Sequence, residues 1–106
     1  MSNTATIRRL NDQFRTSLKG GQVMLTRGIA ARSDLDEIFQ RVRTFKDFTR
    51  DGDPWEEGDF GVFEAGQDSV FWKIDYYNPD LSAGSEDPSD PALTARVLTI
   101  MLAEEY

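Results

Sequence analysis

The run SVFWKIDYY, residues 69–77, constrains this chain more than any other. Val70, Trp72, Ile74 and Tyr76 fall on one side of an extended backbone, and Phe71, Lys73, Asp75 and Tyr77 on the other. A period of two, rich in aromatic and β-branched side chains, predicts a strand with one buried face. Asp59–Glu64 has the same character, and Ala65-Gly66-Gln67-Asp68 between the two runs predicts a hairpin. A two-residue turn at Gly66-Gln67 would set Phe63 opposite Val70 and Asp59 opposite Ile74. A three-residue loop over Gly66–Asp68 would set Val62 opposite Trp72 and Phe60 opposite Ile74. Only the second gathers apolar residues on one face, so the spacing favours a bulged hairpin. Trp72, Phe60, Ile74 and Val62 then face the core, and Phe63, Phe71 and Tyr77 share the outer face with Lys73 and Asp75.

Two helices precede the hairpin. Ile7, Leu10, Phe14 and Leu18 recur at three- and four-residue steps, which predicts an amphipathic helix from Thr4, ended by Gly20-Gly21. Gln22–Thr26 reads as a short strand, closed by Gly28. Ser33 is a good N-cap, with Asp34, Asp36 and Glu37 in the first turn and Arg41, Arg43 and Lys46 in the last turns. Leu35, Ile38, Phe39, Val42 and Phe45 give that second helix its apolar stripe. After the hairpin, Asp90 reads as a cap and Pro91 as the first residue of a third helix. Its Leu93, Val97, Leu98, Ile100, Met101 and Leu102 predict the central core helix. The sum is an α+β fold in the order α-β-α-β-β-α: a small, mainly antiparallel sheet (one short strand plus a β-hairpin) packed with three helices. At 106 residues this is a single globular domain over 1–106.

Charge is divided unevenly. Residues 1–46 hold nine Lys/Arg against four Asp/Glu, whereas residues 47–90 hold two against thirteen. The net charge of −7 hides that polarity, which bears on partners and says nothing of fold. With no cysteine and no histidine, thiolate chemistry, Cys-based metal sites and the usual neutral-pH general base are excluded. No apolar run follows the early arginines and no segment approaches a bilayer span, so the expectation is a cytoplasmic protein without membrane contact.

The loop DGDPWEEGD, from Asp51, places five carboxylates around Trp55. A calcium loop would need an oxygen ligand where Trp55 stands and glycine where Glu56 stands, so no metal ligands are assigned. Glu64 and Asp75 could form a carboxylate pair, but the favoured register puts them on opposite faces. No catalytic residues and no cofactor are expected, and the chain reads as a non-enzyme. Arg8, Arg9 and Arg15 on the first helix allow a nucleic-acid-binding accessory role, although a sequence pI near 4.5 makes direct nucleic-acid binding unexpected. A small hydrolase built on Asp51, Asp53 and Glu57 is the other alternative.

LTRGIAA at Leu25, DFGVFE at Asp59, VFWKIDYYNPDL at Val70 and DPSDPALTARVLTIMLAEEY at Asp87 resemble a small bacterial family of unknown function, numbered 3768 among such domains. The resemblance implies a small cytoplasmic protein often carried on mobile elements, and it transfers no catalytic residue. Together with the charge, it leads to the expectation of an acidic protein-binding domain. Its partner would have a basic, nucleic-acid-binding surface, and the concrete form is a nucleic-acid mimic of the anti-CRISPR or anti-restriction type. The residues expected to bind are Asp51, Asp53, Trp55, Glu56, Glu57, Asp59, Phe63, Phe71, Asp75, Tyr77, Asp80, Glu86 and Asp87.

Overall fold

The computed structural model describes residues 3–106. In chain order it contains α1 (Thr4–Ser17), β1 (Gln22–Leu25), α2 (Arg27–Ala30), α3 (Leu35–Arg43), β2 (Phe60–Ala65), β3 (Asp68–Tyr77) and β4 (Ala95–Leu102). The strands form one sheet in the order β1-β4-β3-β2, with β1 parallel to β4 and the other pairs antiparallel. The α+β class and the mainly antiparallel sheet hold.

All three helices pack on one face of the sheet. Phe14 from α1, Ile29 from α2, and Ile38 and Val42 from α3 join Val70, Trp72, Ile74, Leu98 and Ile100 in one buried cluster. Trp72 is fully buried, with Phe45 and Phe48 edge-on to it at centroid distances of 5.5 and 5.9 Å. Burying one such aromatic contributes about 3 kcal/mol, a large share of what a domain this size can spare. The other face carries Val62, Phe71, Lys73, Asp75, Val97, Thr99 and Met101 at the alternate positions, and none of them belongs to that cluster, although Met101 is buried there. There a 3₁₀ turn at Ala103–Glu105 folds Tyr106 back onto Phe60 and Phe71, at 6.2 and 5.5 Å.

Three local expectations are corrected. The hairpin takes the tighter register: Ala65 pairs with Asp68, Phe63 with Val70 and Gly61 with Trp72. Phe63 is therefore a core residue, while Phe60 and Val62 point outward and Val62 is exposed. The reason is volume, because the indole of Trp72 uses the space left by a glycine, and Val62 there would collide with it.

The segment after Pro91 is a strand and not a helix. Asp90 does cap a turn, accepting from the Ala92 amide at 2.9 Å, but that turn is a 3₁₀ turn ending at Leu93. β4 then runs between β1 and β3, bonded on both sides. A central strand satisfies its backbone by long-range pairing, which outweighs the helix propensity of Leu and Met. Third, α1 ends at Leu18 itself, in the left-handed region at φ 59°, before the two glycines. Leu18 packs against the core cluster, which offsets a backbone cost of about 1 kcal/mol.

Candidate functional site

The acidic loop is built from within by one of its own carboxylates. Asp53 is buried and accepts hydrogen bonds from the Glu57 amide at 2.9 Å and the Gly58 amide at 3.0 Å. Arg8 Nη1 approaches the same carboxylate at 3.9 Å. These charge-assisted bonds fold the loop into a tight turn, and Glu56 within it takes a left-handed φ of 58°. Asp53 is thus a structural residue. Trp55, next to Pro54, projects outward and is 75 % exposed.

Beneath the loop lies a polar node centred on Asn11, which is fully buried. Its Nδ2 donates to the Glu57 carbonyl at 2.9 Å and to Tyr76 Oη at 2.8 Å. Its Oδ1 accepts from Arg96 Nε at 2.7 Å. Tyr76 in turn donates to the Glu57 carboxylate at 2.8 Å, and Arg96 Nη2 donates to the Pro88 carbonyl at 2.6 Å. Glu57 belongs to the acidic loop before β2, and Pro88 to a second acidic loop over residues 78–90, between β3 and the 3₁₀ turn, so one asparagine ties both loops to α1, the second by way of Arg96. Burial and the carboxylate of Glu57 push the Tyr76 phenol well above its ordinary range, so it stays a neutral donor. Burial lowers the Arg96 guanidinium, yet an arginine remains charged at any pH of interest.

On the outer side, the loop and the uncovered sheet face enclose a groove of about 320 Å³. Asp51, Trp55, Asp59, Phe60, Asp75 and Tyr106 line it, with Tyr106 also 75 % exposed. Lys73 lies there too, engaged with Asp75 at 3.1 Å. Asp59 is the least comfortable of these groups. Partial burial, then the charges of Glu57 and Asp53, push its carboxyl up to about 6. No cation stands within ion-pair distance of it among the described residues. A larger groove of about 860 Å³ runs between α1 and residues 48–56, but its Arg8 is stacked on Phe48 and bonded to Asp12. That groove has mixed charge and no converging set of like groups.

The expected binding residues therefore separate. Asp51, Trp55 and Asp75 come together at the smaller groove, and Phe71 meets its wall through Phe60 and Tyr106. Asp59 lies across the ladder from buried Ile74, with its carboxyl toward Asp53 and Glu57 on the inner side. Glu56 is exposed on the neighbouring rim, lining the larger groove. Asp53 and Phe63 are buried, the latter under the Arg41 guanidinium at 4.6 Å, so neither offers a surface. Glu57 is turned inward to Tyr76. Tyr77 pairs with Gly84 and Ala95 at the far end of β3. In the second loop Glu86 is exposed, Asp80 accepts from the Ser82 hydroxyl and amide, and Asp87 from those of Ser89. The Ser82 hydroxyl and amide hold Asp80 below the usual carboxylate range.

Several residues named for the alternative readings have structural roles. Arg15 is buried and donates to the Val42 and Arg43 carbonyls, capping α3, while Arg43 donates to the Thr16 carbonyl near the end of α1. Arg8 serves Asp12 and Asp53, which leaves Arg9 as the arginine of that helix free of such bonds among the described residues. Asp51, Asp53 and Glu57 do not form a group able to hold a metal ion. Glu64 and Asp75 lie on the same face but at opposite ends of the hairpin.

Residues 23–105 match the model of a family described as protein of unknown function (DUF3768). The chain belongs to this family. The DUF3768 match takes in the whole sheet but for the first residue of β1, both acidic loops and α3, while α1 with Asn11 precedes it. No curated protein and no solved structure matches the chain. No helix among the described residues is long and apolar enough to cross a membrane.

The node and the second wall of the groove were missed by sequence reasoning. Asn11 falls in step with Ile7, Phe14 and Leu18 on the buried stripe of α1, and a polar residue there signals a buried hydrogen-bonding role. Tyr106 gave no signal, because its place depends on β4 being a strand.

Proposed function

We propose that this member of the DUF3768 family is a non-enzymatic protein-binding domain that docks through its acidic loops onto a basic surface. One observation carries the reading: exposed Trp55 and Tyr106 border a groove lined by Asp51 and Asp75, on the sheet face opposite α1, α2 and α3. Aromatic anchors within a charged rim are what association surfaces use. The internal use of Arg8, Arg15, Arg43 and Arg96 adds support, since it leaves the acidic groups to set the outer field. The Asn11 node supports a further point, that both loops are held in place before a partner arrives, which lowers the ordering cost of binding.

A surface of this charge competes with a phosphate backbone for a basic groove. The partner class proposed is therefore a nucleic-acid-handling protein, and an inhibitor of a host defence complex in a cytoplasmic, mobile-element setting is its specific form. The test is capture from host lysate by the parent and by an Asp51→Asn, Glu56→Gln, Asp75→Asn variant. Expected are nucleic-acid-binding proteins that the variant fails to retain and that duplex DNA displaces. Capture unaffected by neutralisation would end the proposal, and a direct gel shift of DNA by the domain would favour the accessory-factor alternative.

A further inference from the structure

The second wall of the groove is held in place from the junction of β1 and α2. Tyr106 packs edge-on to Phe71 and Phe60 at 5.5 and 6.2 Å, yet it is 75 % exposed, so ring contacts alone hold it weakly. The residue before it, Glu105, is fixed by three donors. Its Oε1 accepts from the Leu102 amide at 2.9 Å and from the Thr26 hydroxyl, and its Oε2 accepts from the Gly28 amide at 2.9 Å. Thr26, the N-cap of α2, makes no capping bond with its own side chain, and the Glu105 carboxylate takes that place. The close approach depends on Gly28, where a Cβ would stand 2.5 Å from Leu102 Cδ1 and 2.9 Å from both Glu105 carboxylate oxygens. The Thr26 hydroxyl, then the two amides, hold the Glu105 carboxyl below the usual carboxylate range. Apart from the backbone bonds of a single 3₁₀ turn, Glu105 makes the polar ties of residues 103–106 to the rest of the fold, among the described residues. A short segment with one polar anchor and a mostly solvated ring opens and closes as a unit.

We propose that Glu105 is a positioning residue, a latch on the β1–α2 junction that sets Tyr106 against the outer sheet face and so builds one wall of the docking groove. Its part in docking rests on the reading above. With the latch closed, Tyr106 stands beside Phe60 and Phe71; with it open, the groove keeps Trp55 and loses its second exposed ring. Linkage makes the coupling run both ways, so whatever holds the Tyr106 ring also protects the Gly28 amide.

Amide exchange and ring-to-ring NOEs test the latch without a partner. Glu105→Gln puts an amide NH2 in place of one acceptor oxygen, and Gly28→Ala displaces the carboxylate by its Cβ. In each variant the Tyr106–Phe71 NOE should disappear. In Glu105→Gln the Gly28 and Leu102 amides should exchange about tenfold faster, the effect of losing one charge-assisted hydrogen bond, while those of buried Trp72 and Leu98 keep the parent's rates. Tyr106→Ala leaves the carboxylate in place and should still quicken Gly28 exchange by about threefold, the share of an edge-to-face ring contact. A Tyr106–Phe71 NOE that survives in either folded variant, or Gly28 exchange indifferent to Tyr106→Ala, overturns the latch. Capture from host lysate separates this proposal from the docking reading. Glu105→Gln and Tyr106→Ala should each retain about a third of what the parent retains, as loss of one aromatic anchor allows. Full capture by both, with the Asp51→Asn, Glu56→Gln, Asp75→Asn variant still failing, refutes the latch's part in docking and leaves the docking reading standing. If neutralisation leaves capture intact, the docking reading falls, and the NOE and exchange results still decide whether Glu105 positions Tyr106.

Discussion

Gly61 lies directly across the β2–β3 ladder from Trp72, and the indole fills the space a side chain at Gly61 would need. A Cβ there would stand 2.4 Å from Trp72 Nε1 and 2.7 Å from Phe45 Cε2. Both rings are held from several sides, so neither can swing away cheaply. Gly61→Ala should therefore destabilise the fold by about 2–3 kcal/mol, the cost of overpacking a tight core. Urea denaturation followed by tryptophan emission measures it. A parent-like midpoint would place Trp72 somewhere other than over this glycine.

That same pair explains which half of the hairpin was legible in the sequence. β3 declares itself, because four inward and four outward residues alternate without interruption. β2 does not, since a pattern count scores Gly61 as an empty position and prefers Val62. A glycine inside a strand marks close backbone approach, which was the signal to weigh against the apolar count. β4 was hidden for a different reason. Asp90-Pro91 is a true turn signal, but the conformation of the next eight or so residues is decided by β1 on one side and β3 on the other. The alternation of Arg96, Leu98 and Ile100 inward with Val97 and Thr99 outward was present in the sequence. A strand apolar on both faces resembles a helix until its neighbours are known.

The two faces of β3 should respond differently to truncation. Trp72→Ala removes a fully buried side chain and should cost about 3–5 kcal/mol. Phe71→Ala on the uncovered face, where Phe71 is half-exposed against Phe60 and Tyr106, should cost about 1–2 kcal/mol. Thermal melts of the pair check this. Equal losses would mean that a further element covers the outer face.

Asn11 should be far more sensitive than its residue type suggests. Asn11→Ala leaves Arg96 Nε, the Glu57 carbonyl and Tyr76 Oη each short of a partner at a buried site. The expected loss is about 3 kcal/mol, from unpaired groups rather than lost volume. Because the node holds both acidic loops, amide exchange should also quicken around Gly58 and Ser89 together. A loss confined to one loop would show that the loops are anchored independently.

Asp59 gives the stability a pH dependence of unusual sign for a carboxylate. Its folded value of about 6 lies above the ordinary 3.8, so the folded chain holds this proton more tightly than the unfolded chain does. The resulting contribution is fully present below about pH 4 and is lost as the pH rises through 6. Solvent screening of a half-exposed group keeps it to about 1–2 kcal/mol. Asp34, held low first by its bond from Arg32, acts in the opposite direction and loses its contribution as the pH falls. Subtracting the melting profile of Asp59→Asn from that of the parent isolates the Asp59 part. The difference should grow between pH 4 and 7, with the variant the more stable at pH 7. A flat difference would mean that Asp59 ionises as an ordinary surface acid.

The acidic loop can be neutralised without disturbing its fold only if Asp53 is spared. Asp51 and Glu56 are exposed and pair with no cation among the described residues, whereas Asp53 holds the turn together. Asp51→Asn/Glu56→Gln should melt within about 0.5 kcal/mol of the parent, as surface changes away from structural contacts do. Asp53→Asn exchanges a charged acceptor for a neutral one at two buried amides and should cost about 2 kcal/mol. Against the captured partner, the double variant should associate more slowly with nearly unchanged dissociation, because steering depends on the summed field. The parent's association should slow as salt rises, since the screening length falls to about 3 Å at 1 M. Trp55→Ala should do the reverse, shortening residence with little change in salt dependence. Surface plasmon resonance across a salt series separates the two effects. Identical association rates for the parent and the double variant would reduce these carboxylates to solvation of the loop.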